Sequence, residues 1–123
     1  MSLRFVTKRI HAYLDYPVAI ALMGMPILLG LGASNPVAFW LSLITGIAAF
    51  ALTLLTDHHL GMFRVLSYKL HLTVDGLVGI TFVLAPLIFG FTGLDAAYYW
   101  ANGITVLIVV SLHKSETDVL VRG

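Results

Sequence analysis

The chain has no cysteine. Disulfides, thiolate metal ligands, iron–sulfur clusters and cysteine nucleophiles are therefore excluded, and the redox compartment is left open. Charge is scarce too. Only 11% of the 123 residues are Asp, Glu, Lys or Arg, against about 25% in soluble domains, so the composition does not suit a water-soluble globule. Seven basic and six acidic residues leave a net charge of +1, which names no acidic partner and gives no support to nucleic-acid binding. There is no Gly-rich phosphate loop, no HExxH, and no serine set beside a histidine and an acid, so no enzyme class is legible.

Apolar residues fill the space these absences leave. They make up 59% of the chain, and mean hydropathy is +0.97. Four runs (residues 12–31, 36–56, 70–91 and 96–112) match or approach the roughly 20 residues a helix needs to cross a bilayer. Asp15 and Asp75 are the only charges inside them. The runs are continuously apolar rather than alternating, which excludes a membrane β-barrel. The first run carries an aspartate and no clean small-x-small cleavage site, so it is expected to be retained rather than removed as a signal peptide.

The second half of the chain repeats the first. His11, Asp15, Pro26, Gly30 and Trp40 recur without a gap as His71, Asp75, Pro86, Gly90 and Trp100, and Ile44, Thr45 and Leu52 as Ile104, Thr105 and Leu112. A period this long marks one supersecondary unit used twice. The expected fold is all-α: four transmembrane helices forming two tandem helical hairpins. The expected organisation is an N-terminal segment (1–10), a first repeat (11–56), a polar linker (57–69), a second repeat (70–113) and a tail (114–123). Gly, Asn and Asp in residues 32–35 and 92–95 suit the hairpin turns. Pro36 suits the first turn of the second helix. Pro26 and Pro86 are expected to kink their helices and free the carbonyls of Leu22 and Phe82, with Gly30 and Gly90 allowing close approach or the helix end.

All seven basic residues (Arg4, Lys8, Arg9, Arg64, Lys69, Lys114 and Arg122) lie in the N-terminal segment, the linker or the tail. The bias of Lys and Arg towards cytoplasmic loops puts both termini and the linker in the cytoplasm and both turns outside, as a multi-pass protein of the cell (inner) membrane. Two hairpins of the same orientation are then related by a pseudo-twofold axis along the membrane normal. The axis sets His11 with His71, and Asp15 with Asp75, at common depths.

The chemistry-bearing motif is His-x-x-x-Asp, present once in each half. Residues four apart share a helix face, and a carboxylate near the membrane interior needs a partner. Three readings fit. The pairs form local ion-pair networks in a structural or oligomeric membrane protein with no chemistry. Or His11, Asp15, His71 and Asp75 ligate a transition metal, with zinc, iron, manganese and copper all suited to nitrogen and oxygen donors. Or His11 and His71 hold a haem, with Gly76 and Gly79 making room on one side. Metal or cofactor binding is the leading expectation. A small proton- or ion-conducting homo-oligomer using Asp15 and Asp75 is a further alternative. His58, His59 and His113 also fall on the cytoplasmic side, where helix C-termini favour them without any ligand. Ser67 and Thr73 read as helix-start and packing residues.

The stretches Met25-Pro26-Ile27-Leu28-Leu29-Gly30-Leu31 and Ala85-Pro86-Leu87-Ile88-Phe89-Gly90-Phe91 resemble the Ser-Pro-Trp motif, with its following Gly-aromatic, of the SPW-repeat family of small prokaryotic membrane proteins. The resemblance spans nearly the whole chain. It implies a two-hairpin fold in a membrane and assigns no catalytic residue.

Overall fold

The structure, a computed structural model, describes residues 8–56 and 67–112, without the side chains of residues 8–12 and 68. Among the described residues the chain forms four helices: α1 (Lys8–Leu29), α2 (Val37–Leu55), α3 (Tyr68–Phe89) and α4 (Gly93–Ser111). α2, α3 and α4 are long and apolar enough to cross a membrane, and the apolar part of α1, Tyr13–Leu29, is shorter. The exterior is apolar as well. Ile27, Leu28, Leu87 and Ile88 are each more than two-thirds exposed, which suits hydrocarbon and not water.

The recurring Pro-x-x-x-Gly is a helix terminator. Gly30 (φ 64°) and Gly90 (φ 68°) take the left-handed conformation directly after the last helical residue. The N–H groups of Leu31 and Phe91 then reach back to the carbonyls of Pro26 and Pro86, 3.0 Å each. Both side chains that follow are buried, Leu31 and Phe91 alike. This is the Schellman arrangement, which satisfies carbonyls that the helix end would orphan. The proline one turn earlier also frees a carbonyl, and the Ser42 hydroxyl donates to Leu22 O at 2.8 Å. In α3 the neighbouring carbonyl of Val83 takes the Trp100 indole N–H at 3.1 Å. At the starts, Asn35 Oδ1 accepts from Val37 N–H (3.0 Å) and Ser67 Oγ from Leu70 N–H (3.1 Å), so Ser67 is the helix-start residue its sequence position indicates.

α1 packs on α2 and α3 on α4 through glycine. A Cβ on Gly46 would lie 2.8 Å from Met23 N and 3.0 Å from Ala19 O, and one on Gly103 2.9 Å from Val83 N and Gly79 O. Buried positions of α1 and α3 coincide at the expected step of 60: Ala19 with Gly79, Leu22 with Phe82, Pro26 with Pro86. Among the described residues, those of α2 and α4 share only Ala38 with Tyr98 at that step. They coincide at a step of 57: Ala38 with Asp95, Ser42 with Tyr99, Gly46 with Gly103. The ungapped pairing carries into exposure for Trp40 with Trp100 and Ile44 with Ile104, but not into the close-packed positions Ser42 and Gly46. The cause is turn length. Helix α4 begins at Gly93, so residues 93–95, expected as turn, are its first residues, whereas seven residues separate α1 from α2.

The two halves of the bundle differ along its length. The half nearer the hairpin turns is filled by a cluster that includes Leu22, Phe82, Phe91, Tyr98 and Tyr99. Tyr99 lies 4.6 Å from Phe82 and 4.9 Å from Phe91 between ring centroids. Polar bonds cross between the hairpins here. Asp95, 2% exposed, accepts from Gly32 N–H and Ser34 N–H (2.9 Å each) and from the Ser34 hydroxyl (2.5 Å). Tyr99 donates to Ala38 O at 2.6 Å. Ser42 spends its one proton on Leu22 O, so Tyr98 donates to Ser42 Oγ across 2.6 Å. The other half, towards the helix ends away from the turns, is hollow.

Candidate metal centre

His71 sits in the first turns of α3, 2% exposed, and links three helices. Its Nε2 lies 3.3 Å from Asp15 Oδ2 of α1 and 3.3 Å from Asp75 Oδ2 one turn along α3. One donor atom from each of the three residues falls within 4.8 Å of the other two. The i, i+4 spacing does what the sequence pattern requires of it within α3, and the second aspartate arrives from the other hairpin.

The far ring nitrogen is held as well. Nδ1 lies 2.7 Å from Thr56 Oγ1 at the end of α2. That hydroxyl has one proton and donates it to Leu52 O at 2.5 Å. Thr56 Oγ1 therefore accepts, and Nδ1 carries the hydrogen. The Nε2 atom is left facing two carboxylates. A proton on the ring, a proton on one of the carboxylates or a metal ion would each satisfy this arrangement. A histidine whose Nδ1–H is anchored to an oxygen, leaving Nε2 aimed at carboxylates, has the outer-shell arrangement of metal-ligating histidines.

Each case has its own characteristic spacing. Charge-assisted N–H···O bonds settle at about 2.7–2.9 Å. Zinc binds nitrogen and oxygen at about 2.0–2.1 Å, and a tetrahedral angle then sets neighbouring ligand atoms about 3.3–3.4 Å apart. Both separations from Nε2 are 3.3 Å, a spacing that ion pairs and two edges of a metal site share, and the three donor atoms together lie within 4.8 Å of one another.

Below this group lies a cavity of about 470 Å³ between the hairpins, walled by all four helices. Asp15, His71 and Asp75 close one end of it, and the rest of the wall is Leu, Val, Ile, Ala and Thr. Thr53 and Thr105 turn their hydroxyl protons onto the carbonyls of Ala49 and Ala101, at 2.8 and 2.7 Å.

Of the four expected ligands, the structure brings together Asp15, His71 and Asp75. His11 stands one turn before Asp15 on α1, and its side chain lies outside the described residues, as do His58, His59 and His113. The haem pair His11 and His71 is therefore described on one side only. Thr56 was not among the residues the sequence points to. The available signal is its place as the last residue before the polar linker, which is weak. Asp95 has the composition of a turn former in the sequence, and its role as a link between hairpins has no local signature. Comparison with family models, curated proteins and solved structures finds no match.

Proposed function

We propose that this chain is a small multi-pass membrane protein that binds a divalent transition metal through Asp15, His71 and Asp75, with His11 as the further ligand supplied by the duplicated motif. What carries the reading is the position of His71 Nε2: 3.3 Å from two carboxylate oxygens, on a ring whose Nδ1–H is committed to Thr56. Zinc fits this nitrogen and oxygen set best, and manganese, iron and copper share it less closely. With two carboxylates, a divalent ion leaves the group electrically neutral, which suits its place at the edge of the hydrocarbon.

The rest of the reading concerns setting. The basic residues place the termini and linker in the cytoplasm, so the metal lies at the cytoplasmic end of the bundle. The hairpins share one orientation about a pseudo-twofold axis along the membrane normal. The paired burial of α1 with α3 and of α2 with α4 supports this, with the three-residue offset accommodated in the turns. The likeness to SPW-repeat proteins belongs to the same proposal as a likeness of architecture.

The test is metal content of protein purified in detergent, loaded with zinc and dialysed. About one ion per chain is expected in the wild type and none in His71→Ala. Zinc at background in the wild type, with His71→Ala changing only stability, would establish the ion-pair network instead.

A further inference from the structure

We infer that the hollow half of the bundle binds a neutral single-chain amphiphile, its hydrocarbon tail in the cavity and its hydroxyl or carbonyl oxygen on the metal. This rests on the metal reading above. The shape of the space is the first observation. Along α2 its wall runs from Thr53 to Ile44, which at a rise of 1.5 Å per residue is a slot about 13 Å long. Its ionisable lining residues, Asp15, His71 and Asp75, all stand at one end. The space therefore has a head position and a tail position.

The second observation is that the tail position offers water almost nothing. Valine, leucine, isoleucine and alanine dominate the wall; of its three threonines, Thr53 and Thr105 donate their hydroxyl protons to their own helices, which leaves the Thr45 hydroxyl as its other polar side chain away from the head end. A buried water needs two to four polar partners, and apolar cavities of about 150 Å³ stay dry and take up benzene. This one, at about 470 Å³, is about three times that size. A flexible hydrocarbon chain fills a narrow slot of this kind from within a bilayer.

The head follows from charge. The metal and its two carboxylates sum to zero. A hydroxyl or carbonyl oxygen adds no net charge to a poorly solvated place, whereas a carboxylate head adds one. Zinc accepts such an oxygen as a fourth ligand, or as a fifth by expanding its coordination. Asp15, His71 and Asp75 all line the cavity, so the ion they hold is reachable from the slot.

The experiment uses the full chain in lipid nanodiscs, loaded with cobalt(II) in place of zinc, because the visible bands of cobalt respond to a change of ligand. Decanol, decanoate and ethanol are titrated separately. Decanol is expected to shift the bands saturably, and to do so at lower concentration than decanoate. Ethanol, with the head but no tail, is expected to need at least about a hundredfold more, since each buried methylene is worth roughly fourfold. Val106→Phe on α4 and Ala49→Phe on α2 fill the slot from the two helices that carry none of the metal ligands. Each should keep the cobalt bands and move the decanol curve at least about tenfold to the right. Partition into the bilayer is the same for variant and wild type, so that displacement isolates the cavity. Cobalt bands that ignore decanol, or a decanol curve unmoved by both substitutions, overturn the inference and leave the metal reading standing. A stronger response to decanoate overturns the neutral head. Absence of cobalt bands in the wild type removes the metal reading and this inference with it.

Discussion

Replacing Thr56 by valine removes one oxygen from the centre and almost none of its volume. Thr56 is fully buried and at the end of α2, so the substituted methyl stays in place. Two bonds are lost: the 2.7 Å contact with His71 Nδ1 and the 2.5 Å bond to Leu52 O. The loss at Nδ1 matters more. Its hydrogen is then buried without an acceptor, which costs about 1–3 kcal/mol. The ring also loses the contact that fixes which nitrogen carries the proton. Outer-shell partners of this kind are worth about 10–100-fold in metal affinity, or about 1.4–2.7 kcal/mol, in line with the cost of the orphaned N–H. Competition of zinc against a chelating dye measures it. Thr56→Ser restores the hydroxyl and should recover most of the loss, which a packing role of the threonine methyl would not predict. Zinc affinity unchanged in Thr56→Val, or valine and serine variants equally weak, would refute the assignment of Thr56 as the group that orients His71.

Other substitutions test the frame that holds the centre. Gly46→Ala and Gly103→Ala drive a Cβ to within 3.0 Å of facing backbone atoms and should each destabilise the protein by about 1–3 kcal/mol; thermal unfolding in detergent reads this, with Gly24→Ala, which meets nothing within 4 Å, as the unaffected control. Asp95→Ala leaves the Gly32 and Ser34 N–H groups without their acceptor, and about 3–6 kcal/mol of stability should go with them, at roughly 1.5–3 kcal/mol per bond to a charged group. Reporter fusions at Ser34 and at Gly123 should report opposite sides of the membrane; a cytoplasmic Ser34 would contradict the orientation.

How much of this was legible in the sequence differs from element to element. The four helices followed from apolar runs and the repeat. So did the convergence of Asp15, His71 and Asp75, because ionisable groups inside an apolar run need a partner. The end of α1 was half legible. The proline and glycine were visible, but only backbone geometry shows that Pro26 and Leu31 close a helix end while Ser42 takes the freed carbonyl of Leu22. The register of α4 was not legible. Residue identities such as Trp40 and Trp100 align without a gap, yet close helix packing is decided by where a glycine meets the facing backbone, and Gly103 does so three residues before the position that pairs with Gly46. Thr56 escaped because its role depends on a fold that returns α3 to the end of α2. The cavity escaped because hollowness is a property of how four walls meet, and each wall alone reads as an ordinary apolar helix.

Central to the account is one ion held jointly by Asp15, His71 and Asp75. X-ray absorption on the zinc-loaded protein tests it most directly. The expected result is nitrogen and oxygen neighbours at about 2.0–2.2 Å with an imidazole contribution in the wild type, and zinc content that drops to background in His71→Ala and falls in Asp15→Asn and Asp75→Asn. Zinc bound without an imidazole neighbour, or bound equally by the wild type and all three variants, would contradict it.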